Sequence, residues 1–386
     1  MDVELIERVR HVISTAGESQ AVVAARIGIS PDKLSKSLKG ARRFTSLELA
    51  LIAERGGKTV DWLLRGVEPR TVAGTAARKA AELDHNTADV RTTLSRYERV
   101  IDALHGIGYT LPLSPLPESS QIGTGVERGN DLARTATKAL PCEPWGRSTR
   151  ELAADCELAF GVVIATTALP GKLDGLSWST ELFHLILVAQ TQMWTRQRFT
   201  LAHELGHILA RDAYGDAVVE KIQPGRTSDA KEVQANAFAA EFLMPREAIL
   251  SEAGASPERV DVQRMAWHFK VSPSAMAARL KVLGLLTTAQ LREWAATSTA
   301  DCVHTIDTFD QNMLNAEASN GGWHPRALTR LALTAYSRGD TTARPLAALL
   351  GLDPDELLDI LEPAPPEPAQ TSPMPSGSGT EIAFNP

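Results

Sequence analysis

His203, Glu204 and His207 stand in the order His-Glu-Leu-Gly-His within a helix-compatible run at 198–210. Two histidines four residues apart share one helix face, with Cβ atoms about 5–6 Å apart, so two neutral imidazoles can reach one metal ion. Glu204, beside them, has the chemistry of a general base. A carboxylate next to a catalytic zinc takes a proton from the attacking water and delivers it to the leaving amine. The pattern predicts amide hydrolysis at a site holding one Zn2+ per chain.

A catalytic zinc takes three protein ligands and keeps a fourth position open, so the third ligand is the test. Metzincin spacing would put Gly at position 210 and His at 213. The chain has Ala210 and Ala213 there, which excludes that class. The favoured third ligand is Glu232, in an alanine-rich helical stretch at 229–244 that Pro245 helps to stop. Asn236 lies one turn further on the same face and could hold a ligand histidine by its second ring nitrogen. Two alternatives stay open: Glu220, in a loop containing Gly and Pro, and Glu241, whose nine-residue separation from Glu232 points it to the opposite face. Tyr214, Arg226 and His268 are candidates for polarising the scissile carbonyl.

The runs Arg-Phe-Thr-Leu-Ala-His-Glu-Leu-Gly-His (198–207) and Glu-Val-Gln-Ala-Asn-Ala-Phe-Ala-Ala-Glu-Phe-Leu-Met-Pro (232–245) together resemble the ImmA/IrrE metallopeptidases, over about residues 145–290. The resemblance implies gluzincin-like zinc coordination by His203, His207 and Glu232, with Glu204 as base. It also implies a target: a helix-turn-helix repressor in phage, mobile-element or stress-response control. Some fusions of this kind resemble metabolite-responsive transcription factors instead. The alternative function is therefore a regulator whose metal lobe senses a ligand or holds structure without proteolysis.

The elements that must position these residues read as a small mixed α/β lobe. Residues 151–160 suit a helix, 161–166 and 183–188 suit strands, and 176–180 a weaker strand between them. His184 alternates with apolar neighbours and reads as a satisfied histidine. An edge strand beside the cleft could pair with an extended substrate. Downstream, 262–269 and 273–283 form a helical pair, with His268 and Arg279 as possible cleft residues.

The N-terminus carries the second pattern. Leu5, Ile6, Val9, Val12 and Ile13 make one amphipathic helix, and 20–27 a second. Gly28 makes the turn, Ser30 caps a third helix at 31–39, and Pro31 occupies its first position. Helices at 46–55 and 59–64 complete a five-helix bundle. The arrangement resembles XRE-type helix-turn-helix regulators over about residues 3–68, which implies that 31–39 is the recognition helix. Residues 1–70 hold 12 Lys+Arg and 9 Asp+Glu, net +3, against 28 and 38, net −10, in the remaining 316. That asymmetry points one end at polyanions, and the helix-turn-helix resemblance implies double-stranded DNA. Base contacts are expected from Lys33, Ser35 and Lys36, and phosphate contacts from Lys39, Arg42 and Arg43.

Val90, Leu94, Tyr97, Ile101 and Leu104 recur at heptad-like steps, a stripe that packs on the chain's own domain or pairs two subunits as a homodimer. Residues 111–117, Leu-Pro-Leu-Ser-Pro-Leu-Pro, read as a hinge-like linker that could itself be a cleavage point. Three widely spaced cysteines without a Cys-x-x-Cys pair give no zinc ribbon or disulfide scaffold and fit the cytoplasm. No apolar run is long enough to cross a membrane.

The fold expected is therefore multidomain and mainly α. A helix-turn-helix bundle fills 1–68, and a helical connector with a Pro/Ser/Gly linker fills 69–128. An α+β metallopeptidase domain with a small sheet fills 129–298, a small C-terminal helical unit 299–362, and a disordered tail 363–386.

Overall fold

The computed structural model describes residues 3–15, 20–55, 60–66, 87–118, 122–169, 173–213, 218–220, 229–254, 257–294 and 296–361. Tyr214, Arg226, the side chain of Glu220 and the tail at 363–386 lie outside them.

Helices α1 (Val3–Thr15), α2 (Gln20–Arg26), α3 (Pro31–Leu38), α4 (Ser46–Arg55) and α5 (Val60–Arg65) close around their own core. Val9, Val12, Ile13, Val23, Ala24, Ile27, Leu34, Leu38, Leu49, Ile52 and Leu63 are buried in it. Gly28 (φ +74°) supplies the left-handed residue that ends α2. Ile29 N–H then closes back on the Ala24 carbonyl at 2.9 Å. Ser30 Oγ accepts from the Lys33 N–H, starting α3 with Pro31 in its first turn.

The central domain is built on a four-stranded mixed sheet in the order β1-β3-β2-β4, from β1 (Val162–Thr167), β2 (Gly175–Ser179), β3 (His184–Ala189) and β4 (Val218–Glu220). β1 pairs parallel with β3, while β2 runs antiparallel to both β3 and β4. β1 and β3 are apolar at nearly every position because helices cover both faces. Val162, Ile164, Ile186 and Val188 meet α8 (Thr149–Phe160) and α9 (Trp194–Ala210) in one core. Val163, Ala165, Leu176, Trp178, Leu185 and Leu187 meet a second core on the reverse face.

That second core decides one open reading and corrects one expectation. The stripe Val90, Leu94, Tyr97, Ile101 and Leu104 belongs to α6 (Thr87–His105), is at most 4% exposed, and packs on the sheet of its own chain. Beside it, Leu328, Ala332, Leu346 and Leu349 come from α17 (Arg326–Ser337) and α18 (Arg344–Leu350). The C-terminal helices are thus a layer over the sheet rather than a detached unit. Bare strand apolarity is the reason: without this layer Trp178, Leu185 and Leu187 would face water, at about 1.5–3 kcal/mol each.

The segment at 111–117 also departs from a free hinge. Leu111 is buried, Leu116 packs on the first core, and a Cβ on Gly161 would sit 2.3 Å from the Pro112 carbonyl oxygen. This stretch is seated against the turn that ends α8, where Gly161 takes φ +64°. The expected boundary at 128/129 falls inside α7 (Gly125–Ala139), which Thr124 and Glu127 cap reciprocally. α7 lies against α10 (Ala230–Leu243) at backbone distance. A Cβ on Gly129 would be 2.3 Å from the Gln234 carbonyl oxygen.

Beyond α10 the chain continues through α11 (Arg246–Glu252), α12 (Arg259–His268), α13 (Pro273–Val282), α14 (Thr288–Trp294), α15 (Thr299–Thr305) and α16 (Phe309–Asn320). It ends with α19 (Pro354–Leu361), after α17 and α18. No helix among the described residues is long and apolar enough to cross a membrane.

Candidate metal centre

α9 carries the histidine pair and is buried on almost every side. His203 and His207 are at most 1% exposed, and their Nε2 atoms lie 3.1 Å apart. α10 brings in the third group: Glu232 Oε2 is 3.4 Å from His203 Nε2, and Oε1 is 3.2 Å from His207 Nε2. Its approach depends on Gly206, where a Cβ would lie 3.1 Å from the Phe238 ring and 3.3 Å from Ala235 Cα. Among the described residues this is the one cluster of three potential ligand side chains, with all ligand atoms within 4.8 Å of one another.

The spacing fits zinc. Two bonds of about 2.0–2.2 Å at a tetrahedral angle separate the ligand atoms by about 3.3–3.5 Å, close to the distances found. The donor set also leaves one tetrahedral position open, as a catalytic site requires.

His207 is further anchored by Asp212, whose Oδ1 lies 2.9 Å from Nδ1. Holding the proton on Nδ1 leaves the Nε2 lone pair for a metal. Asp212 reaches back because α9 ends in a left-handed turn at Arg211 (φ 63°), with the Asp212 N–H returning to the His207 carbonyl. Burial alone would lower the pKa of His207. The hydrogen bonds to Asp212 and Glu232 more than offset it and leave the pKa well above the ordinary value.

Glu204 is fully buried, and neither carboxylate oxygen has a hydrogen-bond partner among the described residues. Burial raises its pKa, against the attraction of His203 and His207. An orphaned buried carboxylate beside a metal-shaped cluster suits a group that exchanges protons with a bound water or substrate.

The other expected residues fall as follows. Asn236 lies on α10 half-buried, with its Oδ1 buried and without a partner among the described residues; Asp212 is the group on the outer nitrogen of His207. Glu241 is not a ligand alternative. It forms a buried ion pair with Arg279, which also donates to the Met244 carbonyl. Arg279 is thereby removed from the cleft. His268 is exposed and pairs with Glu252 at 3.3 Å, a surface contact of α11 and α12. His184 is buried and bonded to Ser179 Oγ at 2.9 Å, a satisfied histidine.

In the N-terminal bundle Lys33, Lys36, Lys39 and Arg43 are exposed and Ser35 is half-buried. Lys36 pairs with Asp32 at 2.8 Å, one helical turn away. Arg42 corrects the expected contact set. Its guanidinium, still partly exposed, grips Glu48 through two bonds of 3.0 and 2.7 Å and Ser37 at 3.0 Å, so it ties α3 to α4.

Two residues were not foreseen. Asp212 had a faint signal, a carboxylate five residues after the second histidine, hidden because a non-glycine residue makes the turn. Arg198, one and a half turns before His203, had none. It is fully buried, has no carboxylate partner among the described residues, and donates to the carbonyls of Pro144, Arg147, Phe269 and Lys270. Burial pushes its pKa down to about 9, which leaves it charged at neutral pH.

Residues 158–281 match a family model described as the IrrE N-terminal-like domain, Peptidase_M78. That span runs from the end of α8 through the sheet, the metal helix and α10 to α13, and places an IrrE/ImmA-like domain of metallopeptidase type there. No curated protein matches the chain.

Proposed function

We propose that the chain is a DNA-binding transcriptional regulator whose central domain is a zinc-dependent endopeptidase acting on another regulator protein. The observation that carries the catalytic half is the convergence of His203, His207 and Glu232 beside the buried, unpartnered Glu204. His203 and His207 would present neutral Nε2 atoms to the ion, Asp212 fixing the tautomer of His207, and Glu232 would supply the carboxylate. Bound there, zinc supplies Lewis acidity toward the peptide carbonyl and the attacking water. Glu204 takes the proton released as that water adds to the carbonyl carbon. It returns the proton to the amide nitrogen as the C–N bond breaks.

The regulatory half rests on the N-terminal bundle. Gly28 turns the chain after α2 and Ser30 starts α3, the order that a helix-turn-helix would need, and Lys33, Lys39 and Arg43 stand exposed along α3 and its exit. Duplex DNA is the proposed partner. The resemblance to ImmA/IrrE proteins makes a helix-turn-helix repressor the proposed substrate. A homodimer would suit half-site reading, but must use a surface other than the α6 stripe, which the sheet occupies.

The test is Glu204→Gln. This variant keeps the ligands and removes the base, so cleavage of the cognate repressor should fall about 10²-fold or more with zinc and DNA binding retained. Undiminished regulation in this variant would favour a sensing domain without proteolysis.

A further inference from the structure

The strand that faces the metal helix has small residues at alternate positions. Gly175, Ser177 and Ser179 lie on one side of β2, while Leu176 and Trp178 enter the core on the other. At Gly175 the approach of α9 leaves no room for a side chain. A Cβ there would lie 2.6 Å from Thr200 Cγ2, 3.0 Å from Glu204 Oε1 and 3.1 Å from Glu204 Cγ. Glu204 therefore lies directly over this strand.

The next residue on the same face is Ser177, which is wholly buried and whose Oγ has no hydrogen-bond partner among the described residues. The Glu204 carboxylate is in the same condition. A buried donor and a buried acceptor each left unpaired cost about 1–3 kcal/mol, and they neighbour one another here. Ser177 follows Gly175 on the same face of β2, the face over which Glu204 lies, although the resting side chains stop short of hydrogen-bond geometry.

We infer that Ser177 is a positioning residue for Glu204. Its hydroxyl donates to one carboxylate oxygen and leaves the other to serve the reacting water, while Gly175 provides the space in which the carboxylate is held. This rests on the reading of Glu204 as the base of a metal-dependent hydrolase. It adds a function to β2, which carries none of the ligands.

The test uses the full chain loaded with Co2+ and titrated with acetohydroxamate, followed by the visible absorption of the metal. A hydroxamic acid binds metal as its anion and passes its proton to the neighbouring base, so its affinity reports where Glu204 is held. Ser177→Ala should weaken acetohydroxamate by about tenfold, as for a lost hydrogen bond to a charged group, with Co2+ affinity unchanged. In a Glu204→Gln background the same substitution should have no further effect, a coupling that mere loosening of the strand would not produce. Gly175→Ala, which crowds Glu204 from the same strand, should weaken the hydroxamate while retaining Co2+. Equal hydroxamate affinity in Ser177→Ala, or an equal loss in both backgrounds, overturns the role of Ser177 and leaves the metal centre standing. A parent protein that takes up no Co2+ overturns the metal centre, and the positioning role with it.

Discussion

The metal helix and the third helix of the N-terminal bundle are both short polar motifs on helices, yet they treat their polar side chains in opposite ways. On α9 the histidines, Glu204 and Arg198 are all buried, and α10 closes over them. On α3 the lysines are exposed and only Arg42, at its exit, is drawn inward, to Glu48. Burial makes the difference. A buried polar group is held by the packing around it, so its position is set before any ligand arrives; an exposed lysine is positioned only by what it binds.

The contrast can be broken first at Arg198. Arg198→Met removes a donor shared by four inward carbonyls, of which Pro144 keeps the Arg147 N–H, and should destabilise the central domain by about 3–5 kcal/mol, read as a lowered denaturation midpoint with loss of retained metal. A central domain of unchanged stability would show that the buried guanidinium is incidental.

Glu157 gives a second, pH-dependent handle on the central domain. It is buried at 7% exposure, accepts the Ile164 N–H at 3.1 Å and caps α17 through the Arg326 N–H at 3.0 Å. Burial raises its pKa to about 7, above the ordinary 4.5. The carboxyl thus binds its proton more tightly folded than unfolded. Its contribution is full below about pH 4.5 and is lost as pH rises through about 7, by about 3 kcal/mol at most. Glu157→Gln should flatten that part of the stability profile between pH 5 and 8 in urea titrations. Parallel profiles for parent and variant would exclude it.

In the bundle, Arg42→Ala should lower the melting temperature of that domain by about 5 °C, because Glu48 loses its partner. Lys33→Ala, Lys39→Ala and Arg43→Ala should leave stability within about 0.5 kcal/mol. Each should instead reduce the slope of log DNA affinity against log salt by about 0.9. A salt slope that these three do not move would place any DNA contact elsewhere.

What was legible in the sequence follows the same division. His203 and His207 could be paired from spacing alone because an i, i+4 relation is local. Glu232 needed its partner helix, and that helix is seated through Gly206 and Gly129, whose close contacts no linear pattern displays. Asp212 was hidden by a left-handed arginine where glycine is usual. The α6 stripe and the C-terminal helices were visible as apolar faces. Their common target was not, since nothing local says that the reverse face of a sheet is bare. Arg42 was counted among the DNA contacts from the basic run alone, because its acceptor, Glu48, lies on the following helix.

The central claim is that His203, His207 and Glu232 hold one cation together. Metal analysis of the purified full chain, beside His203→Ala and Glu232→Ala, tests it most directly. One equivalent of zinc in the parent and little in either variant is the result expected. A parent free of metal after zinc loading, or a Glu232→Ala variant that keeps a full equivalent, would contradict it.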